Sequence, residues 1–377
     1  MMFGEPERRA IGRTDAGNGR GPEIIAAKDG GDGKPDAERS RMTRLIERYP
    51  LGALLILVVI VAALWLIFAV WPPGLEAVVG KKKLFLNAAF NGITLGGLYF
   101  LVASGFTLIF GLLRNVNLAH GSIYLLGGYF GYLTVDATGS WVLSFVVAFI
   151  VAALVGVVLQ VAVFRRMEGQ DIRQTLVTIG ISIVLADLML WGFGGNSWQI
   201  QTPFWLRGPM ELPFVTAVKS SGETVYLTYP IVRLVILAAS VVIGLAMWLV
   251  LNRTRLGMIV RAGVDDRDML SAMGVRIQLV FVIVFAFGAG LAGMAGVVGG
   301  TFQSLSPGED TRFLLASLIV VIVGGMGSIP GAALGAVIVG LAEQIGLAYF
   351  PTYAIVLTFL IMVLVLAVRP QGLLARR

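Results

Sequence analysis

Apolar residues in this chain fall in long runs separated by short polar stretches. The run 51–70 holds twenty apolar residues without a charge. At about 1.5 Å per residue, such a run spans a hydrocarbon core of roughly 30 Å. Further apolar segments follow at about 91–113, 118–135, 141–164, 175–193, 229–251, 279–300, 313–323, 332–349 and 354–368. The 118–135 and 313–323 segments are short or broken by glycine and are expected to tilt or re-enter. The expectation is an all-α, polytopic membrane protein with about 8–10 transmembrane or re-entrant helices.

The first 49 residues form a separate region, rich in Gly, Asp and Arg with almost no apolar periodicity. They read as a disordered cytoplasmic tail, and residues 50–83 as an additional N-terminal transmembrane helix and connector. Arg39, Arg41, Arg44 and Arg48 precede the first run, which places its start in the cytoplasm. The basic loops 165–173 and 252–276 and the terminal Arg369, Arg376 and Arg377 fall on the same side by parity. Lys81, Lys82 and Lys83 fall outside and are outvoted by the other loops. The longest external loop, 194–228, contains Trp198, Trp205 and several prolines; it reads as a partly ordered cap or as a plain connector. Stretches 96–131 and 288–340 share a glycine-rich texture, consistent with an internal duplication.

Composition narrows the function. Hydrophobic residues make up 57% of the chain and charged residues 14%, against about 25% charged in soluble domains. The net charge of +7 fits basic loops held inside by the membrane potential and insertion machinery rather than nucleic-acid binding, for which no aromatic-rich basic module occurs. Cysteine is absent and His120 is the single histidine. That leaves little for a metal site or a catalytic triad. No metal site, cofactor or catalytic residue is expected, and no G-x-x-x-x-G-K-[ST] phosphate loop is present.

The loop after the 229–251 segment is the most informative. From Val264 to Gly274 it reads as a short helix outside the membrane. Asp265 can cap it and Asp266 suits its positive end. Val264 and Met269 stand at staple positions, and Gly274 can end it in a left-handed conformation. Met269, Leu270 and Met273 share one side, with Ala272 beside them. An apolar ridge of this kind suits insertion into a partner's groove; an ordinary solvated loop is the other reading.

Four stretches resemble the branched-chain amino acid ABC-transporter permease family (the LivH/LivM type, with urea permeases as close relatives). They are NGITLGGLY at 91–99, GLLRNVNLAHG at 111–121, VGGMGSIPGA at 323–332 and RPQGL at 369–373. The resemblance covers about 84–374, the permease transmembrane domain, and identifies 252–276 as the cytoplasmic coupling loop. The loop carries Asp265-Asp266 where a Glu-Ala-Ala pattern is usual. The resemblance implies two ABC ATPase subunits, a second permease subunit (homologous or identical) and a periplasmic solute-binding protein as partners. Its setting is the lipid of the cell inner membrane, with amino acids, short amides or urea as solutes.

Several residues inside apolar segments are candidates for the solute pathway. Asn117 and His120 lie where an internal loop enters a segment, and His120 is either bonded to a nearby carbonyl or lines the path. Asp187, deep in its segment, either lines the path or bonds another helix, since a charge at a helix centre costs about 2.5–3.5 kcal/mol on insertion scales. The Gly324, Gly325, Gly327 turn either offers backbone amides to a solute or packs two short helices tightly, as the Gly331/Gly335 spacing favours. The rival function is an ion-coupled secondary transporter with Asp187 and Glu343 as coupling acids.

Overall fold

The computed structural model describes residues 82–113, 116–218, 224–265 and 267–374. The readings of 1–49 as a tail and of 51–70 as a membrane span lie outside the described residues. The described chain is mostly helical: α1 (Lys82–Leu113), α2 (His120–Thr138), α3 (Trp141–Leu159, continued by a π-turn to Phe164), α4 (Asp171–Phe193), α5 (Ile231–Arg253), α6 (Arg255–Asp265), α7 (Arg267–Ala272), α8 (Ile277–Phe302), α9 (Glu309–Gly324), α10 (Ile329–Tyr349) and α11 (Ala354–Val368). Seven spans among the described residues are long and apolar enough to cross a membrane. The other two membrane-depth helices are α2 and α9, the pair expected to be irregular.

Irregularity here means a late start. His120 opens α2, and its Nε2 lies 3.0 Å from the carbonyl of Val102. Val102 is eleven residues before the end of α1 at Leu113, roughly 16 Å along the axis at 1.5 Å per residue. The backbone therefore climbs from the inner end of α1 into the bundle before α2 begins. From the other side, α8 ends at Phe302 and the chain turns back to begin α9 at Glu309. The first turn of α9 packs on Gly121: a Cβ there would strike the Asp310 carbonyl and come within 2.8 Å of Leu314 Cβ. Two helices entering from opposite faces thus start at one depth.

The central packing is backbone to backbone. Long helices α1 and α8 cross at Gly105 and Gly288, and a Cβ on Gly288 would lie 2.8 Å from the Gly105 carbonyl oxygen. Around this crossing, α2 and α3 pack on α8, through Gly127 against Gly293 and Gly156 against Ala289. In turn α10 packs on α1, through Ala336 against Gly96 and Leu341 against Gly92. Lipid offers no hydrophobic drive for helix association, so such small-residue contacts hold the bundle. The third helix after each glycine-rich start packs on the opposite long helix, α3 on α8 and α10 on α1.

The described part of the 194–228 loop forms a hairpin. Strands β1 (Pro209–Val218) and β2 (Thr224–Pro230) form an antiparallel hairpin, with Leu212 opposite Leu227 and the register slipping beyond it. Phe214 and Leu227 turn inward onto Leu86 and Phe90 of α1. Trp198 exchanges backbone hydrogen bonds with Leu305, tying the loop to the α8–α9 link.

Candidate functional site: the coupling surface and the polar groups of the bundle

At the face opposite the hairpin, the chain leaves α5 at Arg253 and forms two short helices before α8. The expected single helix begins later than expected. Asp265 is the last residue of α6 rather than a cap, and α7 starts at Arg267. The expected end is present. Gly274 has φ 82°, Gly274 N–H donates to Ser271 O at 2.9 Å, and Val275 N–H to Leu270 O at 3.3 Å. This is a Schellman closure, with Leu270 and Val275 at the two positions that usually touch.

The ridge on α7 divides. Leu270 is buried, facing Gly263 of α6 and near Leu112 of α1. Met269 and Met273 are 64% and 71% exposed, with Ala272 and Gly274 exposed beside them. Leu270 therefore anchors α7 to the bundle, while the two methionines face outward. Spacing alone places all three on one side but cannot say which of them the bundle covers.

Among the pathway candidates, Asn117 and His120 come together at the start of α2, both wholly buried. The Asn117 Oδ1 accepts the Ala119 N–H at 3.1 Å. A carbonyl can only accept, so His120 Nε2 carries the proton it shares with Val102. Asn117 Nδ2 and His120 Nδ1 are buried without a hydrogen-bond partner. Asp187 is exposed on the outer face of α4, with no hydrogen bond to another helix of this chain among the described residues. The Gly324–Gly327 turn is packed between helix ends. Gly327 packs beside Gly111 at the inner end of α1, Gly331 lies against Gly324, and the C-terminal tail closes over the turn, with Leu373 N–H to Val323 O and Leu374 N–H to Gly324 O, both 2.9 Å. Close backbone packing accounts for Gly324, and positive φ (110° and 80°) for Gly325 and Gly327.

The sequence reading missed three polar clusters, having singled out only Glu343 among their members. At the hairpin end, Arg312 of α9 donates to Glu343 Oε1 of α10 at 3.0 Å, to Gln303 Oε1 at 3.0 Å and to Glu309 Oε2 at 3.3 Å, while the buried Tyr99 hydroxyl donates to Glu343 Oε2 at 2.5 Å. Nearby, Asn91 accepts from Arg233 and from Tyr229, and the Arg233 guanidinium lies 4.9 Å from the Phe302 ring centroid. Burial pushes the Tyr229 phenol above its ordinary pKa, opposed by its Thr94 hydrogen bond and by Arg233. Deeper, Asp310 is buried, and the Ser122 hydroxyl lies 3.3 Å from its Oδ2 and 2.8 Å from Ser182 Oγ. Glu309, Asp310 and Arg312 precede the apolar run that begins at Phe313. Their charges resemble those of a solvated loop, and only the fold draws them inward.

On the outer face, a cleft of about 600 Å³ opens between the end of α2 and the loop before the hairpin, with Tyr132, Asp136, Trp198 and Arg207 among its walls. Phe204 and Trp205 stand exposed at its edge.

Residues 88–366 match the family described as branched-chain amino acid transport system / permease component. The permease protein LivH of the high-affinity branched-chain amino acid transport system of Escherichia coli K12 is 31% identical over 308 residues, covering 78% of this chain and 96% of that protein. LivH of Salmonella typhimurium and BraD of Pseudomonas aeruginosa are each 30% identical, with the same coverage. No solved structure matches. With seven membrane-spanning helices around the crossing of α1 and α8, and a capped pair of short helices between α5 and α8, the chain belongs to the branched-chain amino acid transport permeases, the multi-pass permease component of an ABC transport system and not an enzyme.

Proposed function

We propose that this chain is one half of the transmembrane pore of an ATP-driven importer in the cell inner membrane, carrying branched-chain or closely related amino acids inward. The observation that supports this most is the α6–α7 pair. It is closed by the Gly274 turn, anchored through Leu270, and presents Met269 and Met273 outward. Exposed methionines adapt to apolar grooves, and two ATPase subunits, one per permease, are the partners this surface suits. A second permease subunit, identical or homologous, covers α4, where Asp187 would otherwise meet lipid. A periplasmic solute-binding protein docks on the hairpin face, beside the cleft and the exposed Phe204 and Trp205.

The ion-coupled alternative requires free acids in the path. Glu343 is already held by Arg312 and Tyr99, which weighs against it as a coupling acid. The test is L-leucine uptake into vesicles from cells expressing the complex. Uptake that needs ATP and survives an uncoupler supports the importer. Uptake that collapses with the proton gradient overturns it.

A further inference from the structure

Helices buried in a membrane need their first-turn amides satisfied, because no water reaches them. Here α2 starts inside the bundle, the first turn of α9 turns its buried Asp310 toward it, and neither helix has a side-chain cap: Ala119 and Gly308 occupy the N-cap positions without a capping hydrogen bond. Such ends favour negative charge. At the same place, Asn117 Nδ2 and His120 Nδ1 are buried without partners. Because Asn117 Oδ1 bonds the Ala119 amide, its unpaired Nδ2 lies against the α2 start. Packed on Gly121 of the same first turn is Asp310, a buried acid whose hydrogen bonding among the described residues comes from one serine hydroxyl. That hydroxyl is shared with Ser182 and has one proton to give. One donor without an acceptor, Asn117 Nδ2, and an acid with one thin contact therefore stand at a single junction. Buried ionisable groups in membrane helices mark transport paths when their partner is missing.

We infer that the junction of α2 and α9 is the solute's central site, where Asp310 holds the α-ammonium group of an amino acid and Asn117 Nδ2, with the first-turn amides of α2, holds its α-carboxylate. Inverted half-structures in transporters place their sites where such broken helices meet. In this structure the two starts touch, Gly121 against the Asp310 carbonyl. The solute enters when they part, and it then satisfies the groups that parting exposes. This site rests on the importer reading above and adds the chemical class it selects: a zwitterion, with both charges read.

The test uses the complex purified through a tag on this chain, in nanodiscs, without the binding protein, so that the permease alone is read. Binding of tritiated L-leucine is competed by leucinamide, which keeps only the ammonium group, and by 4-methylpentanoate, which keeps only the carboxylate. Asp310→Asn is expected to weaken leucine binding at least tenfold and to abolish competition by leucinamide but not by 4-methylpentanoate. Asn117→Ala is expected to do the reverse. Should Asp310→Asn fail to assemble, the Asn117→Ala arm decides alone. The site is overturned if leucine binding by Asp310→Asn stays within twofold of the parent, if either variant loses both competitors equally, or if the parent complex binds no leucine. Vesicle uptake separates the two readings: a parent complex that takes up leucine by ATP hydrolysis while these arms fail refutes the site and leaves the importer standing.

Discussion

Gly105→Ala adds one methyl group where two helix backbones already touch. A Cβ at Gly105 would strike the Gly288 carbonyl and lie 3.3 Å from the His120 ring. The carbonyl is main chain inside a long helix and cannot rotate aside, so the helices must separate. Overpacking costs about 1–3 kcal/mol, and a rigid backbone neighbour puts this site near 3. Alanine recovers about 0.5–1 kcal/mol over glycine inside a helix. The net is a loss of about 2 kcal/mol, roughly a thirtyfold shift toward the unfolded state. Gly180→Ala on α4 is the matched control, because a Cβ there meets nothing within 4 Å; it keeps only the gain of about 1 kcal/mol. The two variants should therefore differ by about 3 kcal/mol in opposite directions from the parent. Unfolding in mixed micelles, titrated with sodium dodecyl sulfate and followed by far-ultraviolet circular dichroism, measures this. If Gly105→Ala unfolds at the parent's midpoint, or above Gly180→Ala, the two long helices are not in backbone contact and the packing argument is wrong.

Gly274→Ala keeps the α7 turn but holds alanine at φ 82°, costing about 1–2 kcal/mol, and should slow leucine uptake in vesicles partially. Gly274→Pro cannot adopt that φ and loses the N–H donated to Ser271, so it should abolish uptake while membrane insertion, measured by fractionation, stays normal. Leu270→Lys places a charge in the site facing Gly263 and should cut uptake more than tenfold at unchanged membrane abundance; parental uptake would remove the anchor role. Truncation after Pro370 deletes the hydrogen bonds from Leu373 and Leu374 to the Val323–Gly324 turn, worth about 1–3 kcal/mol together, and should lower the detergent unfolding midpoint accordingly.

What hydropathy reveals is length, and length carried most of the fold. The last helix, Ala354–Val368, is bounded in the sequence by Tyr353 and Arg369, and the run of apolar side chains between them sets both ends. Hydropathy fails where polar residues enter the bundle. Asp310 and Arg312 look like loop residues until Ser122 and Glu343, nearly two hundred and about thirty positions away, are seen beside them. The hairpin was hidden for a related reason. The alternation in Thr224–Pro230 is short, and its core side, Leu227, needs Leu86 and Phe90 of a distant helix to give it meaning. In the coupling segment, the closing glycine was legible because a left-handed residue is a local requirement. The burial of Leu270 was not, because it depends on Gly263 and on the end of α1.

The packing also restricts how the central junction can open. Helices α2 and α3 rest on α8, and α10 rests on α1, with α9 held to α10 where Gly324 meets Gly331 and Gly335 meets Val320. The bundle is therefore two interlocked blocks: α8 with α2 and α3, and α1 with α9 and α10. They share the crossing at Gly105 and Gly288, where neither helix can slide without driving a carbonyl into the other's backbone. The blocks also meet where His120 of α2 bonds the Val102 carbonyl of α1 and where Gly121 lies against Asp310, so any opening of the junction has to break or carry these contacts too. The short helix α7 joins α8 through only residues 273–276, a link stiffened by the Gly274 and Val275 hydrogen bonds. In the importer proposed above, a push on α7 therefore reaches α8 through the covalent link and the end of α1 through Leu270, which packs beside Gly263 and Leu112. The first route is main chain held by hydrogen bonds and the second is side-chain packing, so the stiffer path runs into α8.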